Sequence, residues 1–355
     1  MSDKNPASKV ANITKKFINK AAKFKNIIFY AVFIFIIIAI SIVFSESYRV
    51  NKCVKQMDIY KEFIVLNSKL NSEELRERRL CDFYIASSYR SCVGINQRFD
   101  YVSVQILASV IKSGARMLWL DIFNKTMDND TQPVISNGTN IGNWKYTLNT
   151  VHLDDAIKTI AKMAFSSGYV NNYNDPLILA LNLNVQNNIA TLNKIKRILI
   201  KHLKPRLLPS RYGFLSKNIA EIKIKELLGK VIIISSGGYM NSDLTEILNY
   251  SWSKPELRLI SYKSIADDNS LLSDIILDKS EVKDFNTNNL TIVLPEENSI
   301  FTQNYDTSNA FNTGCQLVCM NYQLPDSLMD EYVSRFKESS FIERPEKFAG
   351  KSYSA

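Results

Sequence analysis

The chain has 355 residues, 46% of them hydrophobic, and a formal net charge of +9. This hydrophobic content is enough for a sizeable core and excludes an intrinsically disordered chain. Residues 1–26 carry seven lysines and one aspartate, a net charge of +6, so only +3 remains for everything after them. The body of the protein is close to balanced, which removes the main support for a nucleic-acid-binding function.

The segment directly after this basic arm is apolar throughout. Residues 27–44, IIFYAVFIFIIIAISIVF, contain no charged residue, glycine or proline. As a helix they span about 27 Å, close to the hydrocarbon thickness of a bilayer. A cleaved signal peptide, the alternative, would have a shorter apolar core and small residues at a cleavage site. We therefore predict a basic cytoplasmic arm at 1–26 and a transmembrane helix, Ile27–Phe44, as the membrane anchor.

The lysines before the apolar segment also predict an orientation. An excess of lysine and arginine marks the cytoplasmic side of a membrane. We expect a single-pass type II protein with a cytoplasmic N-terminus and with the residues from about 46 onward on the lumenal or exterior side. If that compartment is oxidising, Cys81 and Cys92 are the first disulfide pair to test, although five cysteines fix no connectivity.

The residues after the anchor change from a helical to an alternating pattern. Residues 45–80 are polar with a helical spacing of apolar positions and predict a stalk or packing helix. Beyond them, amphipathic helical runs separate short β-rich runs at 83–87, 117–123, 177–183, 230–235, 257–262, 290–294 and 315–322. Strands that alternate with helices imply parallel strands joined by crossovers. Seven or eight such units fit a (β/α)8 barrel of the TIM type better than an open doubly wound sheet.

Polar residues follow several of the predicted strands. In a (β/α)8 barrel the functional residues lie at the C-terminal ends of the strands. The candidates there are Ser87, Ser88, Tyr89, Arg90, Asp121, Asn124, Asn182, Asn184, Ser235, Ser236 and Ser261. Ordinary turn-forming residues give the same pattern, so a structural role stays open for each of them. No GxGxxG or P-loop follows any strand, which removes the usual nucleotide-binding signatures.

Two stretches, about 83–239 and 240–345, resemble the X and Y halves of the phosphoinositide-specific phospholipase C barrel. The run NYDTSNAFNTGCQLVCMNYQ is similar to that family's SNYNPxxxWNxGCQxVALNFQT, and SGARMLWLDIFN is similar to xGCRxVELDxWDG. The resemblance implies a phospholipase C-like phosphodiesterase barrel with an X-like half at 81–239, a Y-like half at 240–345 and a C-terminal tail at 346–355.

The resemblance also implies where a catalytic site would lie. Enzymes of the family cleave the phosphodiester of phosphatidylinositol lipids, with one histidine near the attacking hydroxyl and a second that protonates the leaving group. Here the family's SSHNTYL aligns on SSYRSCV, so Tyr89 stands at the position of the first histidine. Tyr146, in WKYTLN, stands at the position of the second. Neither histidine of the chain, His152 or His202, replaces them, so we predict no catalytic residue.

The family's calcium ligands are an asparagine, two glutamates and an aspartate. At these positions the chain has Arg90, Trp119, Asn182 and Asp121, so only the aspartate remains. Calcium takes six to eight oxygen ligands, and a guanidinium repels it. We therefore predict no metal site and no cofactor.

The family's contacts to the inositol headgroup are also mostly replaced. Ile234 and Ser236 stand at the two lysines of KGK, and Ile292 and Leu294 stand at the arginine and tyrosine of RIYP. Only Ser261 matches the family. The remaining candidates for contact with a ligand are Arg90, Asp121, Ser236 and Ser261.

Three functions follow from these replacements. The first is a membrane-anchored, inactive phospholipase C-like protein that binds a phosphoinositide headgroup or a protein. The second is an active phosphodiesterase with a metal-independent site, in which Arg90 takes the place of the metal; some bacterial relatives use a guanidinium in this way but keep both histidines. The third is a structural membrane protein whose barrel mouth is filled by Tyr89, Trp119 and Tyr146.

Overall fold

A computed structural model of the chain describes residues 6–63, 68–97, 99–126, 132–141, 144–213, 215, 217–266, 276–296 and 303–348. It separates into two compact units, Met1–Arg49 and Val50–Ala355. The helices are α1 Pro6–Met57, α2 Tyr60–Phe63, α3 Glu73–Glu77, α4 Val104–Lys112, α5 Leu153–Met163, α6 Ile189–Leu203, α7 Ile224–Leu227, α8 Lys279–Asn286, α9 Ser308–Asn312 and α10 Ser327–Phe336. The strands are β1 Phe83–Ile85, β2 Ser87–Ser88, β3 Met117–Asn124, β4 Pro133–Ser136, β5 Thr139–Ile141, β6 Trp144–Tyr146, β7 Thr150–His152, β8 Leu177–Asn184, β9 Val231–Ser235, β10 Tyr250–Ser251, β11 Leu257–Ser261, β12 Leu290–Leu294, β13 Leu317–Met320 and β14 Phe341–Glu343.

The predicted apolar anchor lies inside α1, a continuous helix of 52 residues. Every side chain from Ile27 to Phe44 is exposed within the protein. The helix is long and apolar enough to cross a membrane by length and composition, a test that a signal sequence also passes. A helix that is apolar all round has no polar face for water, so it needs lipid or protein around it.

The second unit is a nearly closed barrel, which confirms the predicted (β/α)8 fold. Its strands lie in the order β10-β9-β8-β3-β2-β13-β12-β11, and each pair along this path is parallel. Side chains alternate between the two faces of the strands. Met117 and Trp119 of β3 belong to the apolar cluster inside the barrel, and Leu118, Leu120 and Ile122 belong to the cluster beneath the helices.

The barrel has a seam between β10 and β11, which no ladder joins in the described part of the chain. Only residues 252–256 connect these two strands. A crossover between parallel strands takes about a dozen residues or more. This connection is shorter than that, and β10 itself has only two residues. The Tyr250 hydroxyl bridges the seam because it lies 2.7 Å from Asn218 Oδ1 and 2.7 Å from the Glu256 carbonyl oxygen.

An insertion that the sequence pattern did not predict lies between β3 and α5. Strand β4 pairs antiparallel with β3, and β7 pairs antiparallel with β4. Strands β5 and β6 form a separate two-stranded hairpin, in which Thr139 lies opposite Tyr146. The N-terminal edge of the barrel is covered by a second small sheet, β1 with β14.

The segment that leads from α1 into the barrel packs rather than projecting as a free stalk. Val50, Cys53 and Met57 are buried in the outer apolar cluster. The Tyr60 ring meets the Tyr322 ring edge to face at 6.3 Å, near the C-terminal end of β13. By residue 69 the chain has reached the opposite edge, where Lys69 pairs with Glu338 at 2.6 Å.

All five cysteines are free and buried, so the structure contains no disulfide between Cys81 and Cys92. Cys81 lies in the cluster inside the barrel and Cys92 in the cluster outside it. The sheet therefore separates the two thiols, which is why the proposed pair does not form. Burial raises the pKa of Cys81 to about 12 and that of Cys315 to about 11, so both stay protonated at neutral pH.

The bridge across the seam can be tested by removing the hydroxyl of Tyr250. We expect Tyr250→Phe to lower the free energy of unfolding by about 1 kcal/mol, because it leaves the half-buried Asn218 and Glu256 acceptors without this donor. Tyr173→Phe, at a side chain that is 44% exposed, is the matched control and should change it by less than about 0.5 kcal/mol. Equal effects in urea unfolding would show that the hydroxyl does not hold the seam.

Candidate functional site

The candidate site is the mouth formed by the C-terminal ends of the barrel strands. The parallel register of β3 and β8 places Asp121 opposite Asn182, two residues beyond the pair Trp119 and Ala180. Tyr89 and Arg90 follow β2, which pairs with β3. Four of the sequence candidates therefore meet at one point of the mouth: Arg90, Trp119, Asp121 and Asn182.

The Asp121 carboxylate is the centre of this group and is only 5% exposed. Trp119 Nε1 and Asn182 Nδ2 both donate to Oδ1, at 2.9 and 2.8 Å. Arg90 Nε lies 2.9 Å from Oδ2 and forms an ion pair with it. One oxygen thus accepts two hydrogen bonds and the other faces a guanidinium, so the negative charge is compensated within the chain.

Arg90 is held in place by its backbone as well as by its side chain. Its φ of 42° lies in the left-handed region, which costs a residue with a Cβ about 1 kcal/mol or more. The Arg90 carbonyl oxygen accepts from Gln323 Nε2 at 3.1 Å and from the Val93 amide at 2.9 Å. Its Nη1 donates to the Gln97 carbonyl at 2.8 Å. These contacts aim the guanidinium at Asp121 and compensate for the unfavourable φ.

Aromatic rings fill the mouth beside this ion pair. Tyr89 is 1% and Trp119 is 2% exposed, and their ring centroids are 5.8 Å apart. Trp252, from the short seam connection, stacks on Trp119 at 5.1 Å with an interplanar angle of 11°. The backbone of Tyr146 lies in β6, and its side chain lies outside the described residues.

The two remaining candidates for ligand contact do not join this group. Ser236 Oγ accepts from the Leu183 amide at 2.7 Å and so continues the β8–β9 ladder. Ser261 Oγ accepts from the Lys263 amide at 3.4 Å and caps a turn of 3-10 helix. Both hydroxyls accept hydrogen bonds from backbone amides. This is the structural role that the sequence left open for the serines at the strand ends.

Asn124, Asn184 and His202 have local partners, whereas the buried hydroxyls of Ser88 and Ser235 have none among the described residues. Asn124 Nδ2 donates to the Val185 carbonyl at 3.2 Å, and Asn184 Nδ2 donates to the Asn182 carbonyl at 3.3 Å. His202 Nε2 lies 3.0 Å from Asp154 Oδ1 on the outer face of the barrel. His152 precedes α5. Neither histidine contributes to the mouth.

The residues at the family's calcium positions do not fit a calcium ion. They supply one carboxylate, Asp121, and its oxygens already face Arg90, Trp119 and Asn182. Calcium takes six to eight oxygens and is repelled by a guanidinium at this distance. Within the described ranges, no three His, Cys, Asp or Glu side chains come together as a possible metal site.

The fold and the position of this mouth define a phospholipase C-like barrel. Residues 76–236 match the X domain and residues 248–347 match the Y domain of phosphatidylinositol-specific phospholipase C. The chain therefore belongs to the phosphatidylinositol-specific phospholipase C family.

The similar proteins are larger than this chain. It is 25% identical over 303 residues to 1-phosphatidylinositol 4,5-bisphosphate phosphodiesterase delta-3-A of Danio rerio, an alignment that covers 72% of this chain and 37% of that protein. The crystal structures of PLC21 from S. officinalis and from L. pealei share the fold with a TM-score of 0.62, at 19% and 20% identity. The superposition covers 78% of this chain and 38% of each of those chains.

Sequence reasoning missed the residues that support the mouth from loops. Trp252, Gln97 and Gln323 come from three different connections, and only Gln323 belongs to a run that resembles the family, as its last residue. The one available signal was a tryptophan directly after β10, at the end of the barrel where site residues gather. Gln97 and Gln323 act through a carbonyl or an amide, which many residue types supply.

The ion pair in the mouth predicts a coupled effect on stability. Arg90→Met should lower the free energy of unfolding by about 3 kcal/mol, because it leaves the buried Asp121 carboxylate without its counter-charge. Arg90→Met with Asp121→Asn should recover most of this loss, since an amide oxygen still accepts from Trp119 and Asn182. Urea unfolding followed by tryptophan fluorescence measures both; a double variant as unstable as Arg90→Met alone would contradict the ion-pair explanation.

Proposed function

We propose that this chain is a membrane-anchored, catalytically inactive member of its family, whose barrel serves as a lipid- or protein-binding module. The observation that carries the proposal is the ion pair between Arg90 and Asp121 at 2.9 Å. A cation of the protein stands beside the one carboxylate that remains at the family's metal positions. The charge that calcium would supply there is already present in the polypeptide.

The residues at the histidine positions support the same conclusion. A general base needs a pKa near the working pH, and the reference pKa of tyrosine is near 10. Tyr89 is also 1% exposed and packed against Trp119, so a substrate hydroxyl has no access to its oxygen in this arrangement. Without a general base, a general acid and a metal ion, the barrel cannot use the family's mechanism. Binding is the function that such a barrel retains.

A phosphoinositide headgroup or a protein segment is the ligand class that the family and the fold suggest. Arg90 is the cation of the mouth, and 17% of its side chain is exposed. Guanidinium groups bind phosphate by charge-assisted hydrogen bonds. The hydroxyls of Ser236 and Ser261 serve the backbone, so a headgroup would depend on Arg90 far more than on either serine.

The second candidate function is a metal-independent phosphodiesterase on phosphatidylinositol-type lipids. It is favoured by the same guanidinium, because a cation beside the scissile phosphate stabilises the charge that develops in the transition state. Arg90 would then be the residue on which all turnover depends.

An assay of lipid hydrolysis separates the two candidates. We expect the full-length chain, in vesicles that contain phosphatidylinositol or its 4,5-bisphosphate, to release no inositol phosphate with or without calcium. Calcium-dependent turnover would overturn the proposal of inactivity. Calcium-independent turnover that Arg90→Ala abolishes and Ser261→Ala leaves unchanged would establish the second candidate instead.

The proposed anchor is α1, with the N-terminus cytoplasmic and the barrel on the lumenal or exterior side. The lysines of residues 1–26 support this orientation. The chain has glycosylation sequons after the anchor at Asn124, Asn129, Asn137, Asn249 and Asn289. Asn137 and Asn249 are only 2% and 3% exposed, and Asn124 and Asn289 are half-buried, so these four report the orientation poorly. An exposed reporter is therefore needed.

Asp306→Asn supplies that reporter because it creates an Asn-Thr-Ser sequon at an exposed position. An amide oxygen can still accept from the Ser308 amide, which Asp306 Oδ1 does at 2.8 Å. We expect one additional, endoglycosidase-sensitive glycan in membranes that glycosylate, and none in the control that also carries Ser308→Ala. Glycosylation of Asn12, in the native sequon NIT of the arm, would show the opposite orientation.

A further inference from the structure

The charges of the barrel are segregated along the chain. Residues 176–220 contain eight lysines and arginines and no aspartate or glutamate, and residues 156–174 contain two lysines and no acid. The net charge after residue 26 is nearly balanced, but this part of the chain is strongly basic. These two stretches cover α5 from Ala156 onward, all of α6 and the first part of the connection to β9, and they exclude Asp154, Asp155, Glu221 and Glu226.

The fold brings the ends of these two stretches to one place. Helices α5 and α6 pack side by side and run back from the mouth toward the start of the next strand. Their C-terminal ends and the connections to β8 and β9 therefore lie at the N-terminal edge of the barrel. This edge is opposite to the mouth described above.

Direct contacts join the two connections into one surface. The Arg206 guanidinium lies over the Phe165 ring at 5.0 Å, and its Nη1 donates to the Gly229 carbonyl at 3.3 Å. The Gly229 amide donates to the Asn174 carbonyl at 2.7 Å. Lys230 Nζ donates to the Pro205 carbonyl at 3.3 Å. Residues 165, 174, 204–206 and 229–230 are thus neighbours.

Four cations and two exposed tyrosines lie on this surface, which we call the basic edge: Lys162, Lys204, Arg206, Lys230, Tyr169 and Tyr173. The tyrosines are 40% and 44% exposed, and Lys162 Nζ lies 5.4 Å from the centre of the Tyr169 ring. Lys162 and Lys204 are exposed, and Arg206 and Lys230 are half-buried. Arg206 and Lys230 donate to backbone carbonyls, so Lys162 and Lys204 supply the exposed charge of this edge.

Two carboxylates near the basic edge accept hydrogen bonds from neighbouring hydroxyls. Asp175 is buried, and burial raises the pKa of its carboxyl group, which accepts a hydrogen bond from Ser68. Glu226 accepts the hydroxyl of Tyr212. A cation at a helix C-terminus also stabilises the helix dipole, which accounts for Lys162 and Lys204 but not for Arg206 or Lys230 beyond the helices.

We propose that the basic edge docks on an anionic lipid bilayer. Clustered lysine and arginine side chains are attracted to the surface potential of anionic lipids. Tyrosine is enriched at the membrane–water interface because its ring is apolar and its hydroxyl forms hydrogen bonds with water. A site for a soluble acidic segment would have no need of two tyrosines that stand exposed beside the cations.

The N-terminal segment reaches the basic edge at Ser68, which donates to Asp175, but it leaves the two tyrosines exposed. Residues 50–60 contact the opposite edge of the barrel, where Tyr60 meets Tyr322 at 6.3 Å. The exposure of Tyr169 and Tyr173 is measured with these residues in place. The docking surface is therefore separate from the mouth and from residues 50–60.

Vesicle binding by the full-length chain tests this proposal. The chain is held in nanodiscs of phosphatidylcholine and mixed with vesicles of phosphatidylcholine alone or with phosphatidylserine, and co-flotation is measured. We expect binding only to the anionic vesicles, weakened as salt is raised. Lys162→Glu with Lys204→Glu should lower the vesicle affinity at least about tenfold. Tyr169→Ser with Tyr173→Ser should lower it at every salt concentration.

Lys112→Glu with Lys283→Glu is the matched control, because both residues are exposed and the net charge changes equally. This control should bind anionic vesicles like the native chain. If the control lost as much vesicle affinity as Lys162→Glu with Lys204→Glu, net charge alone would explain the effect. That result would overturn the assignment to the basic edge. Equal binding to neutral vesicles, or capture of a polyglutamate peptide without any vesicle binding, would overturn the assignment to an anionic bilayer.

Discussion

The parallel register of β3 and β8 is the constraint on which the mouth of the barrel depends. It places Asp121 beside Asn182 and aims both side chains inward, where the carboxylate is 5% exposed. A charge at that depth needs a partner, because burial without one costs several kcal/mol. Arg90 supplies the partner at 2.9 Å and is held in a left-handed conformation to do so. The loops around the mouth are arranged to support that one residue.

The same arrangement explains how the barrel keeps the family's fold with other residues at the family's calcium positions. A calcium site would need several carboxylates kept apart from cations, whereas this mouth has one carboxylate and a guanidinium. Stacked rings of Trp119 and Trp252 fill space beside the pair. The mouth is thus stabilised by its own residues.

Much of the fold was predictable because periodicity is a local signal. The β-rich runs at 117–123, 177–183 and 290–294 coincide with β3, β8 and β12, and the alternation with helices indicated a parallel barrel. The hairpin of β5 and β6 was not predicted, because strands of three residues each are too short to show a periodic pattern. The seam at β10 was not predicted either, because it results from a connection between β10 and β11 that is too short for a crossover.

The sequence by itself determined the composition of the mouth: a tyrosine, an arginine, a tryptophan and one aspartate at the ends of neighbouring strands, and an apolar helix before them. Only the tertiary structure decided their partners. That Arg90 faces Asp121, that Trp252 covers Trp119, and that Cys81 and Cys92 lie on opposite sides of the sheet depends on contacts between distant residues. Segregation of charge along the chain was visible in the sequence, but its concentration on one edge required the packing of α5 against α6.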